Sequence, residues 1–264
     1  MIDECRFVML EFPPIHFFTG FDKSELLSSL LDSGHQITQV VLPKSEKYAK
    51  TSSRVAEIAH EHSLQVTRVS SSSWSSFAEI PAANSVLLSA RFPLKIPRIV
   101  FGRYLHALNI HPTLLPRYRG RYLEPVLIAG DKESGVTLHL IDDEYDTGAI
   151  VHQLRFSVDT FDTVNSLLRK AGGLELNLVL EGLKLVSDST FSPTPQNADN
   201  ASSFFETRTP EDSFIASTTS LSDALKIVRA SNALTHPAFT LIDGQKVIIE
   251  MRRLHKPHNE SDCI

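Results

Sequence analysis

Short apolar runs alternate with amphipathic stretches through the first two-thirds of this 264-residue chain, and that alternation limits the fold more than any other feature. Residues 6–10 (RFVML) read as a buried strand, followed by a loop rich in Pro and Phe, EFPPIHFFTGF. Asp22 stands where an N-cap belongs for the helix KSELLSSLLDSG, which Gly34 stops. QITQVVL at 36–42 reads as a second strand. Residues 50–62 then give a helix, 64–69 a strand and 85–88 another short strand. Repetition of strand, helix and strand predicts an α/β fold, a parallel sheet covered by helices and built from right-handed crossovers.

The clearest helix opens at Thr160 or Asp162 and runs to about Val186, with leucines spaced at three and four. Composition changes after it. Residues 187–204 (SDSTFSPTPQNADNASSF) are rich in Ser, Pro, Asn and Asp and read as a linker. A helix at 222–230 follows, then a hairpin-like stretch in which 238–242 and 246–251 flank Asp243-Gly244. The expected organisation is a domain over 1–186, the linker 187–204, and a small C-terminal helix-plus-hairpin appendage over 205–264.

Hydrophobic residues at 42% and charged residues at 22% suit an ordinary globular protein. No stretch approaches the ~18 apolar residues of a membrane span, and no signal pattern opens the chain. Cys5 and Cys263 lack metal-ligand spacing and read as incidental thiols of a reducing compartment, so a cytoplasmic protein is expected. A net charge of −5 argues mildly against a nucleic-acid partner, which usually meets a basic face. His60-Glu61-His62 is no metal motif, because i and i+2 point apart on a helix. The serines at 70–76 around Trp74 read as a surface loop, and the tail HKPHNESDC as a frayed end.

The chemistry concentrates between Asn109 and Gly148. Asn109 and His111, at i and i+2 of a strand end, share one face. They precede a stiff loop, HPTLLPRYRG, and in a parallel α/β sheet sites form beyond the carboxyl ends of strands. Such a pair can hold an electrophilic carbonyl and manage a proton, or it is an ordinary strand-to-loop transition with a satisfied histidine. GVTLH at 135–139 reads as a strand, after which Asp142, Asp143, Glu144 and Asp146 crowd before Thr147-Gly148. A sharp turn ending in Asp-Thr-Gly can aim one carboxylate back at the cleft. Desolvation and like charge would there raise its pKa and suit it to proton transfer.

NIHPTLLPRYRG followed by AGDKESGVTLHLIDDEYDTGAIV resembles the signature of the folate-dependent formyltransferases, which include methionyl-tRNA, glycinamide ribonucleotide and sugar N-formyltransferases. The likeness runs Asn-x-His-Pro-Thr-Leu-Leu-Pro, Arg-Gly, Gly-Val-Thr and Asp-x-Gly. It covers about half the chain firmly, through the helix at 162–186. It implies a Rossmann-like formyltransferase domain, N10-formyltetrahydrofolate as cosubstrate, and catalytic Asn109, His111 and Asp146. A neutral amine would attack the formyl carbon, Asn109 and His111 would donate to the resulting oxyanion, and Asp146 would help remove the amine's proton through water in the manner of a general base. His139 resembles a histidine of the family that stands behind these three. The folate would dock against the backbone of the loop that carries Arg91, Phe92 and Leu94, with the backbone of Ile141, Asp142 and Asp143 completing its pocket.

Two segments depart from the family pattern. The first loop reads EFPPIHFF in place of Gly-Thr-Pro-like residues, and Arg119-Gly120 is followed by Arg121-Tyr122-Leu123-Glu124 rather than small residues. Arg121 and Tyr122 are therefore the candidates for the acceptor side of the cleft. The segment ETRTPEDSFI, with KIVRA and HPAFTLIDG after it, is similar to the C-terminal part of sugar N-formyltransferases. The resemblance thus implies a nucleotide-linked 4-amino-4,6-dideoxy sugar, such as GDP-perosamine, as acceptor, of the class used for bacterial O-antigen and lipopolysaccharide. Alternatives are methionyl-tRNA as acceptor, or a non-catalytic module that binds folate or a nucleotide sugar. The apolar strands of the C-terminal hairpin raise a homodimer as a further expectation.

Overall fold

A computed structural model describes residues 12–77, 82–120, 123–201, 209–231 and 236–251. The expected strand at 6–10, both cysteines, the tail, and the candidates Arg121 and Tyr122 lie outside these residues. The first strand among them, β1 (Ile15–Phe18), falls inside the stretch that the sequence assigns to a loop. Pro13 and Pro14 disguise it, but IHFF is buried at all four positions and pairs on both sides, so tertiary burial decides its state.

The chain then alternates as expected. Helix α1 (Ser24–Asp32) opens after Asp22, whose carboxylate accepts from the Ser24 N–H at 3.0 Å. Strand β2 (Ile37–Pro43) follows, then the helices α2 (Glu46–Ala49) and α3 (Ser53–Glu61) and strand β3 (Gln65–Val69). Helix α4 (Trp74–Phe77) occupies the serine-rich stretch, with Trp74 and Phe77 buried. Next come β4 (Val86–Ala90), α5 (Arg98–Phe101), β5 (His106–His111), α6 (Glu124–Ala129), β6 (Glu133–Leu140) and β7 (Ile150–Ser157).

These seven strands form one sheet in the order β3-β2-β1-β4-β5-β6-β7. Pairing is parallel from β3 to β5, whereas β6 and β7 are antiparallel. The sheet is thus mostly parallel, and the antiparallel edge replaces a crossover helix by the loop 141–149. Strand order reverses between β1 and β4, which opens a crevice beyond their carboxyl ends.

Alternation along each strand sorts the core onto two faces. Phe17, Val40, Leu42, Leu88, Leu108 and Ile110 pack with α1, α3 and α7 (Val164–Ser187). Phe18, Val41, Leu87 and Ala107 pack on the other face with Trp74, Phe77 and Val100. Helix α7 starts at a capping box in which the Thr163 hydroxyl accepts from the Ser166 N–H and Ser166 bonds back.

Beyond α7 the chain returns to the sheet, where Thr194 exchanges two backbone hydrogen bonds of 2.8 Å with Ile150. Helix α8 (Leu221–Ala230) packs on α6, and its buried Arg229 donates to the carbonyls of Asp159 and Asp162 at 2.8 Å each. A hairpin of β8 (Phe239–Ile242) and β9 (Gln245–Ile248) closes the described chain. Asp243 and Gly244 form its turn, both at positive φ as the Asp-Gly signal requires. Among the described residues no helix is long and apolar enough to cross a membrane.

Candidate active site

Sheet register assembles the site. Ser89 of β4 pairs with Asn109 of β5, and Asn109 pairs with His139 of β6. Paired residues project to the same face, so these three side chains form a row across the sheet. His111 lies two residues further along β5, beside Thr137. The row continues the face of Leu87 and Ala107, the face on which Phe92, Leu94 and Ile141 pack.

The hydrogen bonds fix the tautomers. His139 Nδ1 lies 2.8 Å from the Leu140 carbonyl oxygen, which can only accept. Nδ1 therefore carries the proton, and Nε2 accepts from Asn109 Nδ2 at 3.0 Å. Burial holds His139 neutral and pushes its pKa down to about 4, despite the nearby Asp146 carboxylate. His111 is anchored in the opposite sense. Its Nε2 donates to the Tyr118 carbonyl at 2.9 Å, which leaves Nδ1 facing Asp146 Oδ2 at 3.6 Å.

The loop that supplies the Tyr118 carbonyl is braced from below. Thr137 Oγ1 donates to the Thr113 carbonyl at 2.7 Å and accepts from the Leu115 N–H at 3.1 Å. Gln153 Nε2 reaches both Thr137 Oγ1 and the Leu115 carbonyl. Within this loop the Leu115–Pro116 bond is cis. The two threonines of the recognised pattern thus hold the loop that orients His111.

Of the four crowded carboxylates, Asp146 is the one that turns to the histidines. Asp142 accepts from the Thr147 hydroxyl at 2.7 and 2.8 Å, and Asp143 pairs with Arg98 at the surface. The Asp146 backbone adopts φ 57°, a left-handed conformation that Asp tolerates better than most residues. Its Oδ2 accepts from the Gly120 N–H at 2.9 Å, and its Oδ1 lies 3.7 Å from His139 Nε2. Gly148 closes the turn against β6, where a Cβ would overlap the Leu140 carbonyl. Gly148→Ala should destabilise the protein by on the order of 3 kcal/mol, read from the urea midpoint. An unchanged midpoint would contradict this close approach.

The proposed folate-side residues lie on both sides of the crevice. Gly20, after β1, approaches Pro93, and Arg91 stands over the Phe21 ring at 4.4 Å from its centroid. Phe92 packs edge-on against Phe18 and Trp74. Leu94 and Ile141 join the same apolar wall, and the Ile141 N–H bonds to the Ala107 carbonyl at 2.8 Å. The Asp142 carboxylate is taken by Thr147 and the Asp143 carboxylate by Arg98, which leaves the backbone of these residues, rather than their side chains, for the expected folate contacts.

His16, buried on β1, contacts the Tyr104 hydroxyl at 2.8 Å, and burial pushes its pKa down to about 4. Unfolded, His16 and His139 both titrate near 6.5, so the unfolded chain binds more protons between pH 6.5 and 4. Their stabilisation is complete above pH 6.5 and lost as pH falls towards 4, roughly 3 kcal/mol for His16 alone. Urea midpoints should accordingly fall steadily from pH 6.5 to 4.5. A flat profile across that window would show that these imidazoles are not buried as described.

Sequence reasoning missed Gln196 and Arg119 as parts of this site. Gln196 lies in the stretch that reads as a linker, and no local pattern marks it. Among the described residues no cluster of His, Cys, Asp and Glu could hold a metal ion.

Residues 16–183 match the family model described as Formyl transferase. Over 195 residues the chain is 29% identical to a methionyl-tRNA formyltransferase of Levilactobacillus brevis, covering 71% of this chain and 62% of that protein. The chain spans about three-fifths of the length of the curated relatives it matches. Among solved structures, HypX from Aquifex aeolicus in complex with tetrahydrofolic acid is similar with a TM-score of 0.64 at 21% identity. That match covers 91% of this chain and 38% of HypX. WlaRD, a sugar 3N-formyl transferase solved in the presence of dTDP and 5-N-formyl-THF, gives a TM-score of 0.69 at 20% identity. It covers 90% of this chain and 85% of WlaRD. At these identities the two structures speak for the fold.

Proposed function

Because the chain belongs to the formyl transferase family, we propose that it moves the formyl group of N10-formyltetrahydrofolate onto the amine of a nucleotide-linked amino sugar in the cytoplasm. The observation that carries this reading is the gathering of Asn109, His111 and Asp146 beyond the carboxyl end of β5, beside the crevice between β1 and β4. Half-buried Phe92, Leu94 and Ile141 give a planar ring an apolar wall next to Asn109, which fits a pterin. When bound, the carrier supplies a formyl carbon already activated by its leaving nitrogen.

The residues divide the remaining work. One Asn109 amide proton is committed to His139 Nε2, and the second is the donor for negative charge developing on the formyl oxygen. Such a donor contributes ~3 kcal/mol where it has been removed elsewhere. His111 has its Nε2 proton fixed on Tyr118, so it works through Nδ1, beside the Asp146 carboxylate. Asp146 takes the amine's proton, directly or through water, and shares it with His111 Nδ1. Together they return it to the departing nitrogen, leaving no net proton on the protein. His139, kept neutral, holds the Asn109 amide in its donor orientation.

For the acceptor, the fold likeness to WlaRD and a net charge of −5 support a sugar over a nucleic acid. The 4-amino-4,6-dideoxy class, with GDP-perosamine as one member, would place the product in O-antigen and lipopolysaccharide synthesis. Arg121 and Tyr122, between Gly120 and α6, are the proposed acceptor contacts. Methionyl-tRNA is the second reading, favoured by the 29% identity to the Levilactobacillus enzyme.

A panel of GDP- and dTDP-linked amino sugars and methionyl-tRNA, supplied with N10-formyltetrahydrofolate and read by mass spectrometry, decides between them. A formyl adduct on one nucleotide sugar supports the proposal. Product on methionyl-tRNA alone replaces the acceptor, and no product anywhere rejects the chemistry.

In this reading residues 1–186 carry catalysis and 205–264 form a subdomain. Its hairpin exposes Leu241, Ile242, Val247 and Ile248 and joins a second copy in a homodimer. Analytical ultracentrifugation showing only monomer at micromolar concentration would reject that dimer.

A further inference from the structure

The geometry points to Gln196 as a positioning residue for Asp146, an assignment that rests on the reading of Asp146 as the proton acceptor. Both faces of the Gln196 amide are committed. Its Nε2 donates to the Asp146 carbonyl at 2.9 Å and to the Gly148 carbonyl at 2.7 Å. Its Oε1 accepts from Arg119 Nε at 3.1 Å and Nη2 at 2.8 Å. Arg119 precedes Gly120, whose N–H holds Asp146 Oδ2 at 2.9 Å.

These contacts form a ring. Gly120 fixes the Asp146 side chain, Gln196 fixes its backbone, and the Arg119–Gln196 fork joins the two supports. The ring surrounds a residue at φ 57°, where a non-glycine backbone is held by its surroundings rather than by its own preference. It sets the carboxylate between His111 Nδ1 at 3.6 Å and His139 Nε2 at 3.7 Å. Gln196 itself arrives with a fixed reach, because Thr194, two residues before it, is paired to Ile150 at the start of β7. A glutamine that merely capped the loop would need neither the second carbonyl nor the link to Arg119.

Two substitutions separate positioning from plain stabilisation. Gln196→Glu keeps the acceptor for Arg119 but replaces the one nitrogen that donates both bonds with an oxygen facing two carbonyls, and Gln196→Ala removes both sets of contacts. Gln196→Glu should lower kcat by about 10- to 100-fold, as expected for a displaced catalytic group. The KM for N10-formyltetrahydrofolate should stay within about twofold. Combined with Asp146→Asn, Gln196→Glu should add less than about a twofold further loss, because residues that act through one group are not additive. Full additivity, or kcat within about twofold of the parent in both single variants, would overturn the assignment.

A second readout needs no acceptor. In imidazole ¹⁵N spectra of the full chain, Gln196→Ala should move the His111 Nδ1 resonance in the direction that Asp146→Asn moves it. An unmoved resonance would also overturn the assignment. Should Asp146→Asn leave turnover intact, it is the proton-acceptor reading that fails, while the spectra still decide whether Gln196 positions Asp146.

Discussion

Asp146→Asn should lower turnover by about 10²- to 10⁴-fold, the range for loss of a general base, with tetrahydrofolate binding retained. The substitution is close to isosteric. Asn enters the left-handed region as readily as Asp, so φ 57° persists, and an amide oxygen can still accept from the Gly120 N–H. What disappears is the negative charge beside His111 Nδ1, and with it the acceptor for the amine's proton. Steady-state kinetics should show the loss in kcat and kcat/KM alike, the mark of an interaction made in the transition state. A matched thermal midpoint would show that the fold is not the cause. Turnover within about tenfold of the parent would remove Asp146 from the mechanism.

Asn109→Ala should cost about 10²- to 10³-fold in kcat, as when an oxyanion donor is removed. It should also cost stability, because His139 Nε2 is buried and loses its donor. An unsatisfied buried acceptor costs about 1–3 kcal/mol. The two effects come apart by measurement: urea unfolding reports the second, and kcat at saturating substrate in the folded enzyme reports the first. A stability loss with kcat unchanged would make Asn109 a partner of His139 and nothing more.

The frame of this site was readable from sequence where patterns are local. Alternation predicted β2, α3, β3 and α7 to within a few residues, because amphipathic period and strand alternation are properties of the segment itself. The Asn-x-His pair and the Asp-x-Gly turn stood out as local motifs, but their roles, and the choice of Asp146 among its neighbours, came from the resemblance to the formyltransferases. Strand β1 was not, since IHFF has prolines on one side and gains its state from two neighbouring strands. The antiparallel turn from β6 to β7 also escaped, because repetition of strand and helix implies a crossover that the loop 141–149 makes unnecessary.

The finer electrostatics depend on contacts between distant residues. That His111 presents Nδ1 rather than Nε2 follows from the Tyr118 carbonyl, and that Asp146 is held from both ends follows from Gln196, 50 residues later. No spacing rule contains such information. The crowding of Asp142, Asp143 and Asp146 was visible, but their separation was not, because Thr147 and Arg98 take two of the three.

The most direct test follows the formyl carbon itself. Enzyme is mixed with N10-[¹³C]formyltetrahydrofolate and the accepting nucleotide-linked amino sugar, and the label is followed by ¹³C NMR through a single turnover. The account predicts a formamide carbon on the sugar nitrogen, formed in step with tetrahydrofolate and slowed by about 10²- to 10⁴-fold with Asp146→Asn. Label released as formate, or left on the carrier while the sugar stays unmodified, would contradict it.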